Sequence, residues 1–394
     1  MKSTENDFLN SSPSDQNTKN KRDVSVELLR IIASFIVVGT HIKLTSYILE
    51  SGEVDRSVLF ISSFFGEGVT IFFLILGFFY FNNKSTIKLF KHTFLNVILP
   101  AGVYILIAQL FYYWVVGQKT LLASVLSPDI EWQYIFGNIL QWKSAQIRLS
   151  PHLWFLFTYV QCIMWFPLLR FLGGAENIAR RYIIALALIR FILIDVQKVV
   201  ELPLGPVGFS VVSEPILIVL LGYELYRKKE YIKNNKIIRI CGLCLYFVLH
   251  ICAYLVGIFF LENGSAQSMG WNSLLAICEA MALATFVLSF EFQNLYVQKI
   301  IVFIGKNTFY IYLVHWIVMT KLNSVKVWIL NNSLSFANNG FGELLYTLIF
   351  STVVYLISLI IAIFINFVIK KSYDLHGRLI KIKYPVTGRT TKGK

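Results

Sequence analysis

A succession of long apolar segments dominates this 394-residue chain. Hydrophobic residues make up 56% of it and charged residues only 15%, and the mean hydropathy is +0.63. A soluble surface needs roughly a quarter charged residues, so this composition excludes a soluble globular enzyme. It equally excludes a disordered chain or a disulfide scaffold. The apolar runs are long enough for membrane-crossing helices, which need roughly 20 residues each.

The fold expected is an all-α polytopic membrane protein, a bundle of about ten transmembrane helices. Residues 1–25 are predicted to form a disordered cytoplasmic tail, 26–371 the membrane domain and 372–394 a basic cytoplasmic tail. The predicted spans are 26–48, 58–81, 94–117, 152–171, 181–197, 211–226, 237–261, 271–290, 300–321 and 343–369.

The distribution of positive charge predicts the orientation. With both termini in the cytoplasm, 26 of the 36 Lys and Arg residues fall in inner segments and 7 in outer ones. Such a bias is typical of multi-pass membrane proteins. The net charge of +14 therefore reflects membrane orientation rather than nucleic-acid binding. The longest outer segment is predicted at 118–150.

Ionisable side chains inside a span are costly, which makes Arg30 and His41 in the first span functional candidates. They are 11 residues apart, so an α-helix places them within about 20° of each other and about 16 Å apart along its axis. A guanidinium near the cytoplasmic edge can hold phosphate, and a neutral imidazole deeper in can act as a general base. This geometry suits a long anionic cosubstrate such as coenzyme A. From spacing alone, a snorkelling arginine and a structural histidine remain open as alternatives.

Four segments, in order, resemble motifs of the acyltransferase 3 family. Arg30 and His41 match its first-helix Arg-x10-His pattern. The others are Ile71-Phe-Phe-Leu-Ile-Leu-Gly-Phe78, His152-Leu-Trp-Phe-Leu156 and Ile311-Tyr-Leu-Val-His315. The chain is similar overall to the group that contains the enterobacterial common antigen O-acetyltransferase.

The resemblance implies a membrane O-acyltransferase of the bacterial cytoplasmic membrane that modifies surface polysaccharides. The acyl donor would be acetyl-CoA or another acyl-CoA, and the acceptor a hydroxyl of a lipid-linked or surface polysaccharide sugar. His41 would act as general base, with a covalent acyl-His41 intermediate as an open alternative. Two other readings remain: a transporter or carrier for a lipid-linked glycan or small polar solute, with His41, Glu67 and Arg190 along its path, and a subunit that only holds partners in the membrane.

The chain departs from the family pattern at three positions. Leu76 stands where the second-span motif has serine, and Thr93 and Asn96 stand where many relatives have two arginines. Lys88 and Lys91 lie nearby. We therefore expect Lys88 and Lys91 to assist Arg30 in binding the cofactor, although an ammonium cannot reproduce a bidentate guanidinium contact.

Two further motif histidines are candidate site residues. His315 is expected to orient the acceptor or to stabilise a developing oxyanion, with a structural role equally open. His152 and Arg148 are expected to meet the sugar at the outer mouth, the alternative for His152 being to cap the fourth span.

Three other buried polar residues complete the candidates. Glu67, predicted mid-span, is expected to pair with Arg30 or Lys43 or to orient His41, with a structural ion pair as alternative. Arg190 and Glu279 are hypothesised to pair with each other, and His250 is interpreted as a core residue. No metal site is expected, because Cys241-x-x-Cys244 lacks a second ligand pair.

Overall fold

The computed structural model describes residues 22–42, 56–81, 85–115, 137, 139, 149–174, 177–200, 214–262, 273–332 and 340–383. These residues are almost entirely helical and include no strand. A π-helical turn, Phe94–Ile98, joins α4 to α5, and a 3-10 turn, Pro151–Leu153, precedes α6. The helices in chain order are α1 (Val24–Thr40), α2 (Arg56–Ser63), α3 (Gly68–Tyr80), α4 (Thr86–Thr93), α5 (Leu99–Val115), α6 (Trp154–Leu169), α7 (Ile178–Val200), α8 (Glu214–Arg227), α9 (Lys229–Ile232), α10 (Lys236–Glu262), α11 (Leu274–Leu288), α12 (Leu295–Asn332) and α13 (Gly340–Lys383).

Several of these helices have the length and composition to cross a membrane. Within the described residues, five segments qualify: Thr86–Tyr112, Pro151–Gly173, Lys236–Phe259, Leu295–Ile329 and Phe341–Ile369. Helices α3 and α11 are apolar but shorter. The chain is thus an all-helical membrane protein, as expected. The count of ten spans and the cytoplasmic placement of both termini stay predictions.

The helix ends differ from the predicted spans. Helix α1 ends at Thr40 instead of continuing to residue 48. The hydroxyl of Thr40 donates to the carbonyl oxygen of Phe65. The backbone N–H of His41 donates to the carbonyl oxygen of Val38 at 3.2 Å, which closes the last turn. Helices α12 and α13 extend beyond 300–321 and 343–369. Hydropathy marks only the apolar stretch, whereas a helix continues wherever its backbone bonds are made.

The contacts of α1 fix the directions of its neighbours. Arg30 lies against Phe79 near the end of α3, and the residues before α3 reach the other end of α1, so α3 runs antiparallel to α1. Helix α12 runs parallel to α1, because Gly305 lies beside Glu27 and Trp316 beside His41. Helix α13 returns antiparallel. The end of α1 that carries His41 therefore meets the middle of α12.

Helices α3 and α8 pack at close backbone distance through two glycines. A Cβ on Gly77 would lie 2.8 Å from the backbone nitrogen of Tyr223. A Cβ on Gly222 would lie 2.6 Å from the Cα of Leu74. Such distances leave no room for a methyl group, so this helix pair requires glycine on both sides.

We expect Gly222→Ala to destabilise the protein by about 1–3 kcal/mol, because the added methyl group forces α3 and α8 apart. The measurement is the melting temperature in detergent, which should fall by several degrees. Gly102→Ala is the matched control, since a Cβ there has nothing within 4 Å. Equal melting temperatures for the two variants would contradict the packing argument.

Candidate active site: a histidine cluster at the end of α1

Helix α1 holds His41 at its C-terminal end. The helix begins behind Asp23, whose carboxylate accepts from the backbone nitrogens of Ser25 (3.2 Å) and Val26 (3.4 Å) and so caps the first turn. It ends with His41 in the capping position. The imidazole therefore projects from a helix terminus that is tied to the segment before α3 by the hydroxyl of Thr40.

Three motif histidines meet at this place. The rings of His152 and His315 lie 4.8 Å apart at 71°, and those of His41 and His315 lie 5.7 Å apart at 21°. His152 and His315 are buried, and His41 is half-buried. Sequence positions separated by more than 250 residues are thus brought into one cluster.

Trp316 and Tyr312 of α12 hold the cluster together. The indole of Trp316 lies 4.9 Å from the His41 ring and 5.6 Å from the His152 ring, nearly parallel to the latter. The hydroxyl of Tyr312 donates to the backbone carbonyl of His152. Neither residue was predicted as a site residue, although both lie within or beside the Ile-Tyr-Leu-Val-His segment.

The hydrogen bond of His315 defines its tautomer. Nδ1 lies 2.6 Å from the carbonyl oxygen of Tyr312. A carbonyl oxygen only accepts, so Nδ1 must carry the proton and Nε2 of the neutral ring is an acceptor. Among the described residues Nε2 has no hydrogen-bond partner. His315 can therefore receive a hydrogen bond from a substrate hydroxyl, whereas the oxyanion role would need a proton on Nε2.

Arg30 occupies the other end of the site. Its Nη1 donates to Glu27 at 2.7 Å, its guanidinium lies 5.5 Å from the centre of the Phe79 ring, and its side chain is 25% exposed. Sequence reasoning missed Glu27, although its position one helical turn before Arg30 was a usable signal. Tyr159 of α6 lies near Arg30, and His152, in the turn just before α6, shares its contact with Trp316 with His41. Arg30 and His41 therefore both approach α6.

The positions of the missing family arginines lie near this end. Thr93, at the end of α4, is buried and approaches Tyr159. Asn96, in the π-helical turn, is exposed and donates back to the carbonyl oxygen of His92 in α4, at 2.9 Å. Lys88 and Lys91 are exposed on α4. Their role in donor binding stays a prediction, and Arg148 lies outside the described residues.

Glu67 belongs to a second buried cluster. It precedes α3 rather than lying mid-span, and it accepts a hydrogen bond of 2.8 Å from the hydroxyl of Tyr246. His250 lies 2.9 Å from the Ser63 hydroxyl and 3.6 Å from Glu279, which suits its interpretation as a core residue. Of the partners expected for Glu67, Arg30 pairs with Glu27 instead, and Lys43 lies outside the described residues.

Arg190 does not form the pair that was hypothesised. Its guanidinium bonds to Glu214 at 3.1 Å, while Glu279 faces His250. The prediction that Arg190 pairs with Glu279 is therefore wrong. The neighbours of both groups come instead from α8 and α10, and hydropathy along the chain gives no sign of these contacts.

The geometry defines a class of protein: a helical membrane protein with a buried imidazole cluster at one end of α1 and a paired arginine at the other. Residues 23–366 match the family model described as an acyltransferase domain, so the chain belongs to the acyltransferase 3 family of membrane acyltransferases. The match includes all four motif segments. No curated protein and no solved structure matches the chain. Similarity to the enterobacterial common antigen group stays a prediction.

Within the described residues, no group of three His, Cys, Asp or Glu side chains is arranged to hold a metal ion. The three site histidines contact one another through their ring faces and edges and through Trp316. They form an aromatic cluster that combines stacked and edge-on ring contacts.

Proposed function

We propose that the protein is a membrane O-acyltransferase that moves an acyl group, most readily acetyl, from acyl-CoA to a hydroxyl of a polysaccharide sugar. The donor would enter from the cytoplasm, and the lipid-linked or surface acceptor would arrive from the opposite side of the bacterial cytoplasmic membrane. The observation that carries this proposal is the convergence of His41, His152 and His315 at one end of α1, the helix that carries Arg30 toward its other end. Family membership supports acyl transfer in general.

The ends of α1 suit the two ends of an acyl-CoA. Nη1 of Arg30 donates to Glu27. The other N–H groups of the guanidinium could bind phosphate or carbonyl oxygens of the acyl-CoA. About 16 Å farther along the helix axis, His41 would meet the thioester. Lys88 and Lys91 would add positive charge on the exposed side of α4, where the nucleotide phosphates emerge.

The arrangement of the imidazoles supports the following reaction. An imidazole nitrogen of His41 takes the proton from the acceptor hydroxyl as its oxygen bonds to the thioester carbonyl carbon. The tetrahedral intermediate expels the thiolate of coenzyme A, and the proton passes from His41 to that sulfur. Nε2 of His315 accepts a hydrogen bond from a neighbouring sugar hydroxyl and so orients the acceptor. The acyl group ends on the sugar oxygen and the proton on the coenzyme A sulfur, so the reaction needs no further reactant.

The proposal is tested by thiol release from acetyl-CoA. Purified protein in liposomes receives acetyl-CoA with and without candidate acceptors, and free coenzyme A is followed with a thiol reagent. Release that requires active protein and rises with acceptor supports acyl transfer. The absence of both thiol release and acyl-CoA binding, with acetyl-CoA and with longer acyl-CoAs, would overturn it.

We expect Arg30→Gln to raise the KM for acetyl-CoA roughly ten- to a hundredfold, the worth of a charge-assisted hydrogen bond. The kcat should change little, because the reacting atoms lie at His41. Arg22→Gln is the control, since Arg22 also bonds to Glu27, at 3.0 Å, but is more exposed. An equal rise in KM for both variants would assign the effect to Glu27 rather than to donor binding.

The alternative, a carrier path lined by His41, Glu67 and Arg190, finds less support. These residues have separate partners: His41 contacts His315 and Trp316, while Glu67 bonds to Tyr246 and Arg190 to Glu214. A path for a polar solute would need its polar groups in one continuous line. We therefore put acyl transfer first.

A further inference from the structure

A cavity of about 200 Å³ adjoins His41 on the side of α12 and α13. Its lining on α12 consists of Met319, Thr320, Asn323 and Lys326. Thr320, Asn323 and Lys326 recur at intervals of three and Met319 is four residues before Asn323, so the four residues lie on one side of the helix. That face begins directly beyond Trp316 and leads away from the histidine cluster.

The opposite wall of the cavity comes from α13. Tyr346 and Phe350 line it, and their rings lie 5.0 Å apart at 16°. Both residues are buried against the neighbouring helices. Flat aromatic faces next to hydroxyl and amide groups suit a sugar ring, which has apolar C–H faces and a polar rim.

Lys326 gives the cavity its charge. Its side chain is half-buried, and it forms no ion pair with any described residue. None of the residues that line the cavity is acidic. A lysine in a partly enclosed space that has no counter-ion among the described residues attracts an anionic group, and its ammonium can donate to either a phosphate or a carboxylate.

We propose that this cavity is the acceptor subsite and that it selects a sugar carrying an anionic group, with Lys326 binding that group while His41 faces the hydroxyl to be acylated. The inference rests on the proposed function and adds the chemical class of the acceptor. Lys326 lies seven residues beyond Met319, which corresponds to about 10 Å along the helix. Either a phosphate-linked sugar or a uronic acid supplies this chemistry.

The test measures binding directly, in the full-length protein in nanodiscs of neutral lipid. Radiolabelled glucuronate, glucose 1-phosphate and glucose serve as probes. We expect at least one charged probe to bind ten times more tightly than glucose. Tighter binding of glucuronate would identify the anionic group as a carboxylate, and tighter binding of glucose 1-phosphate would identify it as a phosphate. In Lys326→Gln this tenfold preference should disappear.

Lys321→Gln is the matched control for the loss of one positive charge. Lys321 lies on the same helix, but its ammonium is placed over the ring of Phe111, 5.0 Å from its centre, and it does not line the cavity. Its substitution should keep the preference for the charged probe. Equal binding of glucose by the wild type would overturn the inference. Retention of the preference in Lys326→Gln, or its loss in both variants, would do the same.

The same preparations separate this inference from the proposed function. Addition of acetyl-CoA to the protein–sugar complex shows whether the bound sugar is acylated. Binding that depends on Lys326 without any acylation would uphold the anionic subsite and count against acyl transfer. Acylation of glucose and the charged probes with equal kcat/KM would uphold the function and reject the subsite.

Discussion

Replacing His41 with alanine should lower kcat for acyl transfer about a thousandfold or more, the range expected for removal of a positioned general base. The acceptor hydroxyl then loses the base beside it, because Nε2 of His315 would be engaged with a neighbouring sugar hydroxyl and the His315 ring lies 5.7 Å from the position of the His41 ring. Binding of acetyl-CoA should persist, because its phosphates would be held at Arg30. The measurements are thiol release and equilibrium binding of acetyl-CoA.

The control for this variant is His250→Gln, which alters a buried histidine in the Glu67–Tyr246 cluster and should keep transfer activity. Added imidazole should partly restore the activity of His41→Ala, a rescue that a purely structural histidine would not show. Transfer at more than a tenth of the wild-type rate in His41→Ala would contradict the assignment of the base.

Replacing His315 with phenylalanine should lower kcat about a hundredfold while leaving the KM for acetyl-CoA unchanged. The phenyl ring preserves the aromatic contacts with His41 and His152 but removes the Nε2 acceptor that would orient the sugar. Loss of an orienting hydrogen bond in a buried site is worth a few kcal/mol in the transition state. Initial rates at varied acetyl-CoA and acceptor concentrations separate the two constants.

Tyr312→Phe provides the comparison for His315→Phe. It removes only the hydroxyl that donates to the carbonyl oxygen of His152, and it should lower kcat no more than a few fold. A hundredfold loss in both variants would mean that the cluster responds to any disturbance of α12. A higher KM for acetyl-CoA with an unchanged kcat in His315→Phe would place His315 in donor binding instead.

The sequence was sufficient for features that depend on one helix. The relation of Arg30 to His41 follows from helical geometry, and both approach α6 in the structure. The all-helical membrane class followed from apolar segment length. The three histidines could be grouped only by their family motifs, because no local pattern relates residue 152 to residue 315.

Features that depend on contacts between helices escaped prediction. Glu67 was placed mid-span because its neighbours are apolar, yet it stands before α3 and is bonded by Tyr246, 179 residues away. Arg190 forms an ion pair with Glu214 rather than with Glu279. For a buried charge, the partner is decided by which helices pack side by side. Hydropathy, which averages along the chain, carries no such information.

The length of α12 has a consequence for the product. This helix is continuous from Leu295 to Asn332, so the spacing between the histidine cluster and Lys326 is fixed by its pitch. With an acceptor anchored through its anionic group, we expect only the hydroxyls that point toward the histidine cluster to reach His41. The rigid helix would then restrict which hydroxyl is acylated. We expect each acceptor to give predominantly one positional ester isomer.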